Sequence, residues 1–154
     1  MVKDKELQVR AIKNGTVIDH IPDNQLFKVI KVLGLQKVDN MITFGRGYES
    51  GKFGKKAIIK IADKFLEDED INKLSMVAPA AKINIIKDFS VVEKKVVQVP
   101  DEVKGIVKCV NPMCITNHEA IPTKFKVVNK ENISLKCHYC EKITDNENMR
   151  IVED

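Results

Sequence analysis

The chain has 154 residues, of which 44% are hydrophobic and 31% charged, the make-up of an ordinary globular domain or of one plus a small module, and not of a disordered chain. No apolar run approaches the roughly 20 residues of a membrane-spanning helix, and the opening Met1-Val2-Lys3-Asp4-Lys5-Glu6 lacks the apolar stretch of a secretory leader, so a cytoplasmic protein without a membrane partner is expected. The net charge of +4 is small, and with no tryptophan and two tyrosines the chain has few stacking platforms for single-stranded nucleic acid.

In chain order, Leu7-Gln8-Val9-Arg10-Ala11-Ile12 alternates and reads as a strand. Lys13-Asn14-Gly15 signals a turn, after which Thr16-Val17-Ile18 resumes extended structure. Pro22-Asp23-Asn24 opens a helix whose apolar face is predicted at Leu26, Phe27, Ile30 and Leu33, with Lys28 and Lys31 opposite and Gly34 as its stop. Met41-Ile42-Thr43-Phe44 and Ala57-Ile58-Ile59-Lys60-Ile61 read as two more strands. The glycine-rich stretch between them, Gly45 to Lys56, invites comparison with a phosphate-cradling loop. Its spacing matches neither the dinucleotide fingerprint nor the P-loop, and no helix follows, so a plain hairpin is expected. Glu67-Asp68-Glu69-Asp70 is the acidic first turn of a second helix carrying Ile71, Leu74, Val77 and Ala78, closed by Pro79. Lys82 to Ile86 and Phe89 to Val99 complete the strands. This order predicts an α+β, ferredoxin-like antiparallel sheet with two helices on one face. Pro100-Asp101 is the expected boundary between a unit over residues 1–100 and a second over 101–154.

The second unit is predicted to be all-β, with short strands at Ile106-Val107-Lys108, Thr123 to Val128 and Ile133-Ser134-Leu135. It holds all the cysteines, as Cys109-Val110-Asn111-Pro112-Met113-Cys114 and Cys137-His138-Tyr139-Cys140. Two paired knuckles point to one zinc site with four cysteine ligands. Disulfides are the weaker alternative, since nothing in the chain marks secretion. A closed four-thiolate shell leaves no position for activating water, so the metal is expected to be structural; a module of about fifty residues cannot bury enough surface alone. Residues 1–100 carry eighteen Lys/Arg against thirteen Asp/Glu, whereas 101–154 carry eight against nine. Four thiolates around Zn2+ add −2, bringing the zinc unit to about −3. A zinc ribbon that grips nucleic acid should be the basic part of its chain, and no nucleic-acid partner is expected.

No catalytic constellation stands out among His20, His118 and His138. His138 lies inside the second knuckle, but four thiolates already fill the site, so it reads as a surface residue. Asp19-His20 at a strand end could orient a polar ligand or be structural. Lys55, Lys56, Lys60, Lys94 and Lys95 could be an anion pocket or a solvated face. Lys60 interrupts an apolar strand and Lys94 closes the last strand of the same sheet, details that favour a pocket for these two.

The segment Gly15-Thr16-Val17-Ile18-Asp19-His20-Ile21-Pro22, with Ser50-Gly51, Ala78-Pro79 and Leu135-Lys136-Cys137-His138-Tyr139-Cys140-Glu141-Lys142, resembles the regulatory chain of aspartate carbamoyltransferase, and the likeness runs in order over nearly the whole chain. The resemblance implies a non-catalytic subunit of de novo pyrimidine biosynthesis. Its N-terminal domain would bind nucleoside triphosphates, CTP and UTP as inhibitors and ATP as activator, and would pair with a second regulatory chain. Its C-terminal zinc domain would dock on the catalytic chain, so that regulatory dimers link catalytic trimers. By the same resemblance the effector site comprises Ala11 and Ile12 at the base, Asp19 and Lys60 toward the ribose, Asn84 and Ile86 near the base and pocket wall, His20, Val91 and Lys94 on the phosphate side, and Val17 as a further member. Phe89 stands where a tyrosine beside the base is common. It departs from the family pattern together with Glu6 and Arg10, which puts base preference in play. The zinc ligands implied are Cys109, Cys114, Cys137 and Cys140.

Overall fold

A computed structural model of the chain describes residues 11–51 and 54–152. Five strands, β1 (Gly15–Pro22), β2 (Ile42–Ser50), β3 (Gly54–Ala62), β4 (Lys82–Lys87) and β5 (Ser90–Val96), form one sheet in the order β2-β3-β1-β4-β5, with every neighbouring pair antiparallel. Alternation decides the faces. Thr16, Ile18, Ala57, Ile59, Ile61, Ile83 and Ile85 point to one side and are buried, while Val17, Lys60 and Asn84 point to the other. Helices α1 (Leu26–Val32) and α2 (Asp68–Val77) both cover the first side, adding Leu26, Val29, Val32, Leu74 and Val77 to the same core. Among the described residues no helix covers the opposite side.

Alternation in β1 is broken at one point. His20 sits at φ 59, and the ladder to β3 shifts register between Ile18 and Ile21. The irregularity turns Ile21 back into the core, fully buried, where strict alternation would have sent it outward. The glycine-rich stretch is a hairpin, as its lack of a phosphate-loop spacing predicts. β2 and β3 pair from Ile42 opposite Ile61 to Ser50 opposite Gly54, with a bulge between Gly45 and Tyr48. Asp23 fastens that bulge, accepting from the Gly47 backbone N–H at 2.6 Å and from Arg46 at 2.7 Å, and the Arg46 hydrogen bond holds the Asp23 carboxyl below its ordinary pKa.

The C-terminal strands form a four-stranded sheet in the order β10 (Ile143–Asp145), β9 (Ser134–Cys137), β8 (Lys124–Asn129), β6 (Glu102–Lys104), plus the pair β7 (Val107–Lys108) and β11 (Arg150–Ile151). Their core centres on Val103, Val107, Phe125, Ile133 and Leu135 and also takes in Met76, which α2 contributes from the other unit. Ile151 packs against both cores.

Three expectations change. Phe27 does not face the core: it is 59% exposed and meets Phe44 edge-on at 5.9 Å, because the buried side of α1 runs through Leu26, Val29 and Val32. In the predicted first strand, residues 7–10 lie outside the described residues, and Ala11 and Ile12 are irregular. Next to them the Lys13 and Asn14 carbonyls accept from the Phe89 and Asp63 N–H groups, and Asn14 Oδ1 accepts from Asp88 N–H, so the backbone serves turns and not a ladder. The last strand stops at Val96, since Val97 turns into the first core and Val99 packs against the second.

Candidate functional site

The side of the sheet away from the helices gathers most of the residues that the sequence singles out. Strand pairing sets Val17 directly opposite Lys60 on one side and Asn84 on the other, and Asn84 opposite Lys94. Lys60, Val17, Asn84 and Lys94 thus stand in one row across β3, β1, β4 and β5, with Thr43 of β2 at its end. The next row holds Gly15 and Ile86, with Val91 across from Ile86. The row on the other side holds Asp19 and Lys82. Val91 and Lys94 are exposed on the edge strand, whereas Ile86 is buried beneath it.

At the bulge, Asp19 is the local hub. Its carboxylate accepts from the His20 backbone N–H at 2.6 Å and lies 3.0 Å from Lys56 Nζ. His20 Nδ1 is 3.4 Å from Asp19 Oδ2 without hydrogen-bond geometry, and it is buried with no other partner among the described residues. Lys56 therefore joins the site through Asp19. The sequence signal for it was only its place in a run of lysines. Lys60 is half-buried, and burial lowers its pKa below the ordinary lysine value.

Phe89 closes the other end. Asp88 and Phe89 both have positive φ, 50° and 65°, in the two-residue turn between β4 and β5, as a type I′ turn requires. An aromatic residue held in the left-handed region and 65% exposed is a strained, displayed side chain. Its N–H bonds Lys13 O at 2.9 Å, which sets the segment after Ala11 and Ile12 beside this turn. Those two residues reach the face only through that bond and the approach of Ile12 to Gly15, and not as members of the rows.

The four cysteines converge although Cys109 and Cys140 are far apart in sequence. Their sulfurs lie within 4.8 Å of one another; Cys109–Cys140 is 3.6 Å and Cys114–Cys137 is 3.7 Å. These separations exceed a disulfide bond of about 2.05 Å, and they match the ~3.8 Å edge of a tetrahedron built on metal–sulfur bonds of about 2.3 Å. The knuckles are shaped for thiolates. Backbone N–H groups of Asn111, Tyr139, Cys140 and Lys142 bond the sulfurs, as does the Asn111 side chain. The Asn117 side-chain amide braces the first knuckle by donating to the Cys109 and Asn111 carbonyls at 3.1 and 2.7 Å. Burial pushes the Cys109 thiol up to about 12. Cys140 is also raised by burial, but hydrogen bonds, the Asn111 side chain first, outweigh this and bring it down to about 7. A cation at the centre would turn the whole set to thiolate. His138 is exposed and packs edge-on against Tyr139, apart from the sulfur cluster.

Two family models match successive stretches of the chain. Residues 7–98 match the model of the aspartate carbamoyltransferase regulatory chain, allosteric domain, and residues 101–150 match its metal binding domain. Relatives described as aspartate carbamoyltransferase regulatory chains include those of Phocaeicola vulgatus (58% identical, covering 95% of this chain and 94% of the relative) and Bacteroides thetaiotaomicron (58%, 95% and 95%). The one from Thermococcus sibiricus is 51% identical over 94% of this chain and 95% of its own length. With four cysteines arranged to hold a metal and an allosteric-domain match over the open-faced sheet, the chain belongs to the family of aspartate carbamoyltransferase regulatory chains, as a non-catalytic subunit with an allosteric and a metal-binding domain.

Proposed function

We propose that the open face of the five-stranded sheet binds nucleoside triphosphate effectors, CTP and UTP as inhibitors and ATP as activator, and so controls the catalytic chains of pyrimidine biosynthesis. The observation that carries this reading is the row Lys60–Val17–Asn84–Lys94, set in register across four strands of one uncovered face. Two cations flanking an amide and an apolar contact suit a nucleotide, because charge-assisted bonds from one end hold the phosphates and from the other the ribose, while flat apolar surface receives the base. Ala11, Ile12 and Phe89 take the base end, Asp19 the ribose beside Lys60, Ile86 the wall, and His20 and Val91 the phosphate side together with Lys94. The strand order, with β1 between β3 and β4, supports a ferredoxin-like reading of residues 1–100, which also serve as the unit that pairs two regulatory chains.

Residues 101–154 are the docking unit for catalytic trimers, folded around one Zn2+ held by Cys109, Cys114, Cys137 and Cys140. The ion supplies cross-linking and charge neutralisation and no chemistry of its own. Thiols kept for metal fit a reducing cytoplasm.

Calorimetric titration of CTP and ATP into the full chain tests the effector site. Lys60→Ala and Lys94→Ala should each weaken binding about tenfold or more, the worth of one charge-assisted hydrogen bond. Unchanged affinity in both variants removes the assignment. For docking, stripping the metal and sizing the chain with catalytic subunits should show loss of the assembly; an assembly that persists without metal defeats the structural-zinc reading.

A further inference from the structure

A hollow of about 1020 Å3 opens where α1 faces the C-terminal strands. Lys28 and Lys31 of α1 form one wall, Lys108 of β7 and Arg150 of β11 the other, and no Asp or Glu among the described residues lines it. A smaller neighbouring hollow of about 280 Å3 shares Lys31, adds Lys37 and Lys73, and is likewise lined without carboxylates among the described residues.

This arrangement works against the fold's own electrostatics. Arg150 stands directly opposite Lys108 in the β7–β11 pair, a cross-strand placement in which like charges repel. Lys28 and Lys31 are three residues apart on one helix and share a side of it. Among the described residues no carboxylate pairs with Lys28, Lys108 or Arg150. A hollow lined by one sign of charge, with Ile121, Met149 and Ile151 as low-dielectric backing, concentrates anions. The helix α1 lies on the covered side of the sheet, so this hollow is separate from the open face that carries Lys60 and Lys94.

We propose that the hollow between the two domains is a second anion site, which takes a small molecule bearing two or more phosphate groups. Its phosphates accept charge-assisted hydrogen bonds from both walls. Because one wall belongs to the allosteric domain and the other to the metal-binding domain, an occupant fixes the two against each other.

The probe is inorganic tripolyphosphate, titrated into the full chain carrying Lys60→Ala and Lys94→Ala so that the open face is disabled. Binding that persists there, falls with added salt, and weakens at least tenfold on further substitution Lys108→Ala with Arg150→Ala is the expected result. Lys28→Ala on the opposite wall, remote from the cysteine knuckles, should weaken it as well and guards against a disturbed fold. ATP binding tighter than tripolyphosphate in the same background identifies an organic phosphate as the ligand; the reverse order identifies inorganic polyphosphate. No binding in the Lys60→Ala, Lys94→Ala chain, or binding indifferent to Lys108, Arg150 and Lys28, overturns the proposal. So does a chain that binds neither anion but loses its association with catalytic subunits on Lys108→Glu with Arg150→Glu, since the hollow is then a protein contact.

Discussion

Gly15 opens the central strand with no room for a side chain: a Cβ there would stand 2.0 Å from the Ile61 carbonyl oxygen, at a φ of +141°. Gly15→Ala should lower unfolding free energy in urea by about 2–5 kcal/mol, combining backbone strain with a steric clash. Phe89 makes the opposite prediction. Phe89→Gly relieves a left-handed aromatic residue, so stability should rise by about 1 kcal/mol while nucleotide affinity falls, a split that a merely structural turn residue would not give. Lys60 adds a pH dependence. Burial lowers its folded pKa below the unfolded value of about 10.4, so the chain bears the cost of a desolvated charge below the folded pKa. That cost is relieved as pH rises toward the unfolded value, and this residue's contribution to stability therefore improves with alkalinity. A charge-assisted hydrogen bond from Lys60 to the ribose needs the charged form, so effector affinity should drop as pH passes upward through the lowered pKa, and the drop should vanish in Lys60→Ala.

Among the elements, α2 was legible because its acidic first turn has a mechanism. Asp70 Oδ2 accepts from the Glu67 backbone N–H at 3.0 Å, closing a capping box. Asp70→Ala should cost about 1 kcal/mol in thermal or urea unfolding. The face of α1 was less legible, since Leu26, Phe27, Val29, Ile30, Val32 and Leu33 are nearly continuous, and only the third dimension shows that Phe27 is left over for Phe44. Strands β6, β10 and β11 span two or three residues each and carry too few side chains for any periodicity to register. On the open face, Lys60 stood out because it breaks an apolar run, whereas its alignment with Asn84 and Lys94 depends on a register set by bulges at His20 and at Ile85–Ile86 that no local pattern displays. The knuckles were fully legible, because ligand spacing is a local property. Stripping the metal should abolish amide protection throughout β8 and β9 while leaving β1, β3 and β4 protected, as read by hydrogen exchange.

At the scale of the molecule, the two hydrophobic cores are joined, among the described residues, by a side chain from each direction. Met76 leaves α2 to sit, fully buried, among Val103, Phe125 and Leu135, and Ile151 returns from the C-terminal pair to touch the sheet's core. Met76→Ala should cost about 2–5 kcal/mol for the cavity it leaves. Scanning calorimetry should then resolve two transitions where the parent chain shows one, because the substitution cuts the packing through which one core holds the other. The effector response of the assembled enzyme should weaken with it, even though Met76 belongs to a helix on the covered side of the sheet and not to the open face.

The strand order also sets a timetable. β1 is made early but sits at the centre, and its two neighbours are distant in sequence, with Gly15 opposite Ala62 on one side and Ile86 on the other. At about 5–20 residues per second of synthesis, the second partner of Gly15 follows it by roughly 4–14 s. During that interval Ile18 and Ile21 have no core, and at least one edge of the strand has no hydrogen-bond partner. The nascent chain is therefore most open to misassociation before β4 emerges, and a chaperone that engages β1 then would act where this topology leaves the chain longest unprotected.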